Sequence, residues 1–229
     1  MKTYAGISQE GLFLLSQNKF EDSKEFYDAH KAQLKDLVFT PLMQIVEILA
    51  DDLSKLDPRM NLLPGRIISR ARRDTRFTKE KHLYRDNVWI TFTRPKEDPM
   101  VWPCMWFEVK PEQSEWNAGV CIYGATPAYM QFLRPRMEKD ARAFLAAAGK
   151  AIKAGAEMQP DAFKKERYPD APENLKPYLN AKSFIFMHTS TDMGLLAKPE
   201  LTDELRRLYA AYGAVYAWLQ EAAEEYYIA

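Results

Sequence analysis

Helical and strand periodicities occupy separate blocks of this 229-residue chain instead of alternating, and that order predicts an α+β fold. Two observations carry the prediction. Apolar residues recur at the 3.6-residue period near both ends, whereas a two-residue period fills the middle. The expected architecture is an antiparallel sheet of about four to six strands packed against N-terminal and C-terminal helices, with residues 1–229 as one domain.

Taken in order, Ile7 to Leu15 suggests a short helical lead-in. From Ser23 to Val38, residues Phe26, Tyr27, His30, Leu34, Leu37 and Val38 share a helix face, with Asp22 or Ser23 as cap. Leu42, Ile45, Val46, Leu49, Leu53 and Leu56 continue the period. Thr40-Pro41 marks either a new start or a kink in one long helix, and Asp57-Pro58 ends it. The period then changes: Val88, Ile90 and Phe92 face one way, Trp89, Thr91 and Thr93 the other.

After a charged loop from Arg94 to Met100, Trp102 to Val109 and Trp116 to Tyr123 form a hairpin around Lys110 to Glu115. If the hairpin is symmetric, paired residue numbers sum to 225. Met105, Phe107 and Val109 then meet Val120, Ala118 and Trp116 on an apolar face suited to helices. On the other face Cys104 meets Cys121, Trp106 covers Gly119 and Glu108 meets Asn117. The two cysteines are expected to be reduced.

Thr126-Pro127 is a helix start, and Pro135 is expected to kink or split that helix. Gln159 to Pro177 carries prolines among charges and is expected to be a connector. Ser183 to His188 suggests one more strand, and a helix from about Thr202 to Tyr226 closes the chain on Leu205, Leu208, Tyr209, Tyr212, Val215, Tyr216 and Leu219.

Composition narrows the function classes. Hydrophobic residues make up 47%, enough for a packed core, and no apolar run reaches the roughly 18 to 20 residues of a membrane helix. The N-terminus shows no secretion signal, so a cytoplasmic protein with no membrane partner is expected. Lysine plus arginine balance aspartate plus glutamate at 32 each, which argues against nucleic acid held by overall attraction; any anion recognition must be local. Phosphate-loop, serine-hydrolase, zinc-protease and paired-cysteine signatures are all lacking. His30, His82 and His188 have no metal-ligand spacing, so no metal is assigned and the cofactor is unknown.

The charge is concentrated in Pro64 to Asp86. Arg66, Arg70, Arg72, Arg73, Arg76, Lys79, Lys81 and Arg85 stand there against Asp74, Glu80 and Asp86. If Arg66 to Arg73 were a strand, one side would carry Arg66, Arg70 and Arg72. Guanidinium groups match carboxylate and phosphate oxygens, and several converging on one spot repel one another unless an anion sits among them. That anion is either a ligand or a carboxylate of the protein. The second case would be an ion-pair network with Asp74, Glu80, Asp86 and helix acids such as Glu47, Asp51 and Asp52.

Within this stretch, Arg73-Asp74-Thr75-Arg76-Phe77-Thr78-Lys79-Glu80-Lys81 with Tyr84-Arg85 resembles the R-D-x-R-F-S-x-D-K-x-x-Y-K signature of the bacterial DUF2461 family. Asn18 to Lys31, with Phe26-Tyr27 where the family has Trp-Phe, is loosely similar to its N-terminal element. The likeness is best over about residues 8–146. Thr78, Glu80, Leu83 and Arg85 replace serine, aspartate, proline and lysine, and the family's Pro-x-Gly element has no clear counterpart in Phe163 to Pro172. The resemblance implies an α+β domain and supplies no reaction. The favoured expectation is a small phosphorylated or carboxylated ligand held by Arg73, Arg76, Lys79, Lys81, Tyr84 and Arg85. Two alternatives stay open: a structural ion-pair network, and a hydrolase or phosphotransfer enzyme with Asp74 as base and Thr78 as a conceivable nucleophile. Oligomeric state is not legible.

Overall fold

The computed structural model describes residues 3–76, 79 and 81–228. Helix α1 (Gln9–Glu21) is capped by the Ser8 hydroxyl, which accepts from Gly11 N, so it starts near the expected lead-in and runs past it. Ser23 caps α2 (Lys24–Leu34) in the same way. A π-helical turn, Lys35–Phe39, joins it without a break to α3 (Thr40–Leu56). Thr40-Pro41 is therefore accommodated within a continuous helical path, where a local π-turn absorbs the proline. Asp57 ends α3.

Next come a single turn, α4 (Pro64–Ile67), and the strands β1 (Val88–Phe92), β2 (Cys104–Lys110) and β3 (Glu115–Cys121). Helices α5 (Pro127–Lys139) and α6 (Ala141–Lys153) come after them, with Thr126 capping the first and Pro135 inside it. The chain finishes with β4 (Glu157–Ala162), the short α7 (Lys176–Leu179), β5 (Ala181–Ser190) and the long α8 (Glu200–Ile228). Among the described residues, no helix is long and apolar enough to cross a membrane.

The sheet is five-stranded and antiparallel, in the order β1-β2-β3-β5-β4. Every pair of the β2-β3 hairpin sums to 225 as expected, from Cys104 with Cys121 to Lys110 with Glu115. Its inner face, with Met105, Phe107, Val109, Trp116, Ala118 and Val120, is fully buried. Leu205, Leu208, Tyr209, Tyr212 and Tyr216 of α8 belong to the same core. Two tyrosines tie that helix to the sheet through polar tips: Tyr209 OH donates to Trp106 O at 3.0 Å and Tyr212 OH to Ala118 O at 3.4 Å.

Two expectations are corrected. The Gln159 to Pro177 connector begins inside a strand, since β4 pairs with β5 from Glu157 with Met187 onward. Its sequence, EMQPDA, has neither alternation nor β-branched residues, and Pro160 is tolerated because β4 is an edge strand. Likewise, Arg66 to Arg73 is not a strand. Pro64 opens a helical turn with its fixed φ, and only single bridges come after it, Ile68 with Ile90 and Arg72 with Tyr84.

Candidate functional site

The basic stretch runs along the outer edge of β1. Ser69 N donates to Trp89 O at 2.9 Å, and Trp89 N donates back to Ser69 Oγ at 3.0 Å, so the segment covers an edge that would otherwise be open to pairing. Beyond it the chain forms a miniature ladder. Arg73 N donates to Leu83 O at 2.8 Å and Arg85 N to Ala71 O at 3.1 Å, either side of the Arg72 and Tyr84 bridge. Alternation then puts Arg73 and Arg85 on the same side, as diagonal neighbours.

The ladder is held from behind by the N-terminal helices. Asp22, in left-handed conformation (φ 42°) at the end of α1, accepts from Leu83 N at 2.6 Å and Tyr84 N at 3.0 Å through Oδ1. Its other oxygen is 3.4 Å from His82 Nδ1. The Tyr84 ring, 2% exposed, stacks on Tyr27 of α2 at 5.0 Å between centroids. Tyr84 thus anchors the motif, and it is not among the residues that line the hollow beside it.

That hollow is a cleft of about 540 Å³ lined by Arg70, Arg72, Arg73, Asp74, Thr75, Arg76 and Arg85. Among the described residues, that lining holds five arginines and one carboxylate. Arg76 forms a fork with that carboxylate, Nε to Asp74 Oδ1 at 2.9 Å and Nη2 to Oδ2 at 2.6 Å. These hydrogen bonds hold the Asp74 pKa down to about 2. A carboxylate so reluctant to take a proton is ill suited to act as a general base near neutral pH. The pair is exposed on both sides, so it positions Arg76 rather than supporting the core.

Arg85 is the unusual member. Its guanidinium lies over the Trp89 ring, with Cζ 4.5 Å from the centroid. Its Nε is shielded from solvent and has no hydrogen-bond partner among the described residues. Partial burial and then the charge of Arg73 push its pKa downward, although an arginine stays charged at any physiological pH. Like charge at close range is what an anion would relieve.

The residues predicted from the sequence are therefore divided. Arg73, Arg76 and Arg85 meet in the cleft. Lys79 is exposed and not in its lining, while Lys81 Nζ donates to Thr75 O at 3.0 Å on an exposed surface. Phe77, Thr78 and Glu80 lie outside the described residues, so the nucleophile suggested at Thr78 and the partner suggested at Glu80 fall there too. Arg70 and Arg72, which precede the motif, do line the cleft; the density of arginine was their only signal. The acids that an ion-pair network would need are engaged elsewhere in two cases: Asp86 with Lys19 at 3.4 Å and Asp52 with Arg206 at 2.9 Å. Asp22, an alternative to Ser23 as helix cap in the sequence, gave no sign of this second role, because it depends on a loop about 60 residues away being brought against α1.

The sequence profile described as Conserved hypothetical protein (DUF2461) matches residues 11–218, and the chain belongs to that family. No curated protein and no solved structure matches it.

Proposed function

We propose that this DUF2461 protein binds a small phosphorylated or carboxylated ligand in the arginine cleft at the edge of β1. Arg85 is the observation that carries the reading. A guanidinium whose solvent-shielded Nε has no hydrogen-bond partner among the described residues, with a second guanidinium diagonally opposite, is an unfavourable arrangement on its own. An oxyanion beside Arg85 supplies the acceptor that its Nε lacks and offsets the like charge of Arg73. Arg70 and Arg72 add attraction at the rim, and Arg76 is pre-oriented by Asp74.

The exposure of Asp74 and Arg76 and the engagement of Asp52 and Asp86 weigh against a purely structural network. The low proton affinity of Asp74 weighs against its use as the base of a hydrolase.

Titration calorimetry with orthophosphate, pyrophosphate and citrate tests the proposal. Saturable binding by at least one, weakening with added salt and abolished in Arg85→Ala, is the expected result. No heat from any of the three would overturn it.

A further inference from the structure

The arginine cleft has a neighbour. The outer face of the sheet, opposite the helices, forms a second hollow of about 570 Å³. Its floor is aromatic and apolar: Trp89, Trp106, Met187 and Ile185 project from β1, β2 and β5, all half-buried. Trp106 lies across Gly119, so close that no Cβ could be fitted at that glycine, which lays the indole over the sheet. Polar groups stand among them. Glu108 accepts from Asn87 Nδ2 at 2.7 Å and is 3.9 Å from Lys110 Nζ, while Thr91 and Thr93 present hydroxyls.

The two hollows meet at one contact. Arg85 lines the cationic cleft, and Trp89, which lies beneath its guanidinium, lines the sheet-face hollow. An occupant spanning both would carry an anion at one end and, at the other, a body that lies on the Trp106 indole, since Arg85 already covers Trp89. An alkyl chain suits that body poorly, because Glu108, Asn87 and the threonines would be left facing hydrocarbon. A flat heterocycle with donor groups at its edge suits it well: the π-face stacks on tryptophan and the donors reach the Glu108 carboxylate. A second anionic group there would be repelled.

We propose that the cleft and the tryptophan face are two halves of one site for a nucleoside monophosphate. The phosphate lies against Arg85 on the side it shares with Arg73, the base lies on the sheet face, and a sugar hydroxyl or base amine donates to Glu108. This rests on the anion-binding reading of the cleft.

The test titrates the full chain with the adenosine, guanosine, cytidine and uridine 5′-monophosphates and with orthophosphate, reading heat and tryptophan emission. At least one nucleotide is expected to bind about tenfold or more tighter than orthophosphate, as a stacked base provides, and to change the emission. Thr91→Tyr, which fills the sheet face from a half-buried position, is expected to bring that nucleotide to the affinity of orthophosphate while leaving orthophosphate binding and the melting temperature unchanged. Arg85→Ala abolishes orthophosphate binding and weakens the nucleotide. If orthophosphate binds but no nucleotide exceeds it, or if Thr91→Tyr leaves the nucleotide's advantage intact, the two-part site is wrong and the anion cleft stands. If neither orthophosphate nor any nucleotide binds, both proposals fall.

Discussion

Strand β1 has an arginine stacked on a tryptophan beyond each of its ends, and the two pairs look alike until their remaining contacts are compared. Arg85 lies 4.5 Å from the Trp89 centroid and Arg94 lies 4.7 Å from that of Trp102. Arg94 is 5% exposed and its charge is answered: Nε donates to Asp57 Oδ2 at 2.7 Å and Nη1 to Glu224 Oε1 at 3.1 Å. Tyr216 OH and Arg59 N complete the hydrogen bonds to Asp57, at 2.7 and 3.0 Å. Arg85 is met by another arginine where Arg94 meets two carboxylates. An arginine that clamps the end of α3, the loop after β1 and α8 together has acids brought to it by the fold. An arginine meant for a ligand has its shape fixed by stacking and its charge left over.

Breaking the Arg94 side has the largest expected effect. Arg94→Ala strands the buried Asp57 carboxylate and should lower unfolding free energy by about 3–5 kcal/mol, read by urea denaturation. The acid limb of stability sharpens the same point. Burial raises the Asp57 pKa, but the hydrogen bonds from Arg94 and Tyr216 outweigh it and the net shift is downward. A carboxylate held below its unfolded value contributes stability above the ordinary carboxylate range and loses it as pH falls through the lowered value. Melting temperature should therefore drop below about pH 4, and Asp57→Asn should show a shallower fall from a lower starting point. Arg85→Ala, in contrast, should leave the melting temperature near wild type, because it removes a repelled charge. Asp74→Ala should change it least of all, since its pair with Arg76 is exposed; a large loss in either variant would make the cleft a structural network after all.

Much of the scaffold was legible because it obeys local periodicity. The β2-β3 register came from a single symmetry about Lys110 to Glu115, and the apolar face it predicted is the buried one. Edge elements were harder. β4 has few residues to bury and takes its conformation from β5, so no pattern marks it. The basic stretch was located by its charge and its family-like motif, yet neither could say which cations converge. Arg70 and Arg72 reach the cleft while Tyr84 turns into the core, because Asp22 and Tyr27 fix the ladder's orientation through contacts distant in sequence. Nor could composition distinguish Arg85 from Arg94, since Asp57 and Glu224 lie far along the chain.

The most direct test of this contrast is the rise in melting temperature with added orthophosphate, measured side by side in wild type and Arg85→Ala. A ligand that binds only the folded state at 100 times its Kd adds about 2.7 kcal/mol, which is several degrees for a chain of this size. The predicted result is a wild-type rise of that order, and an Arg85→Ala protein that melts where ligand-free wild type does and shows no rise. An Arg85→Ala protein that melts far lower yet keeps the full rise would contradict the account.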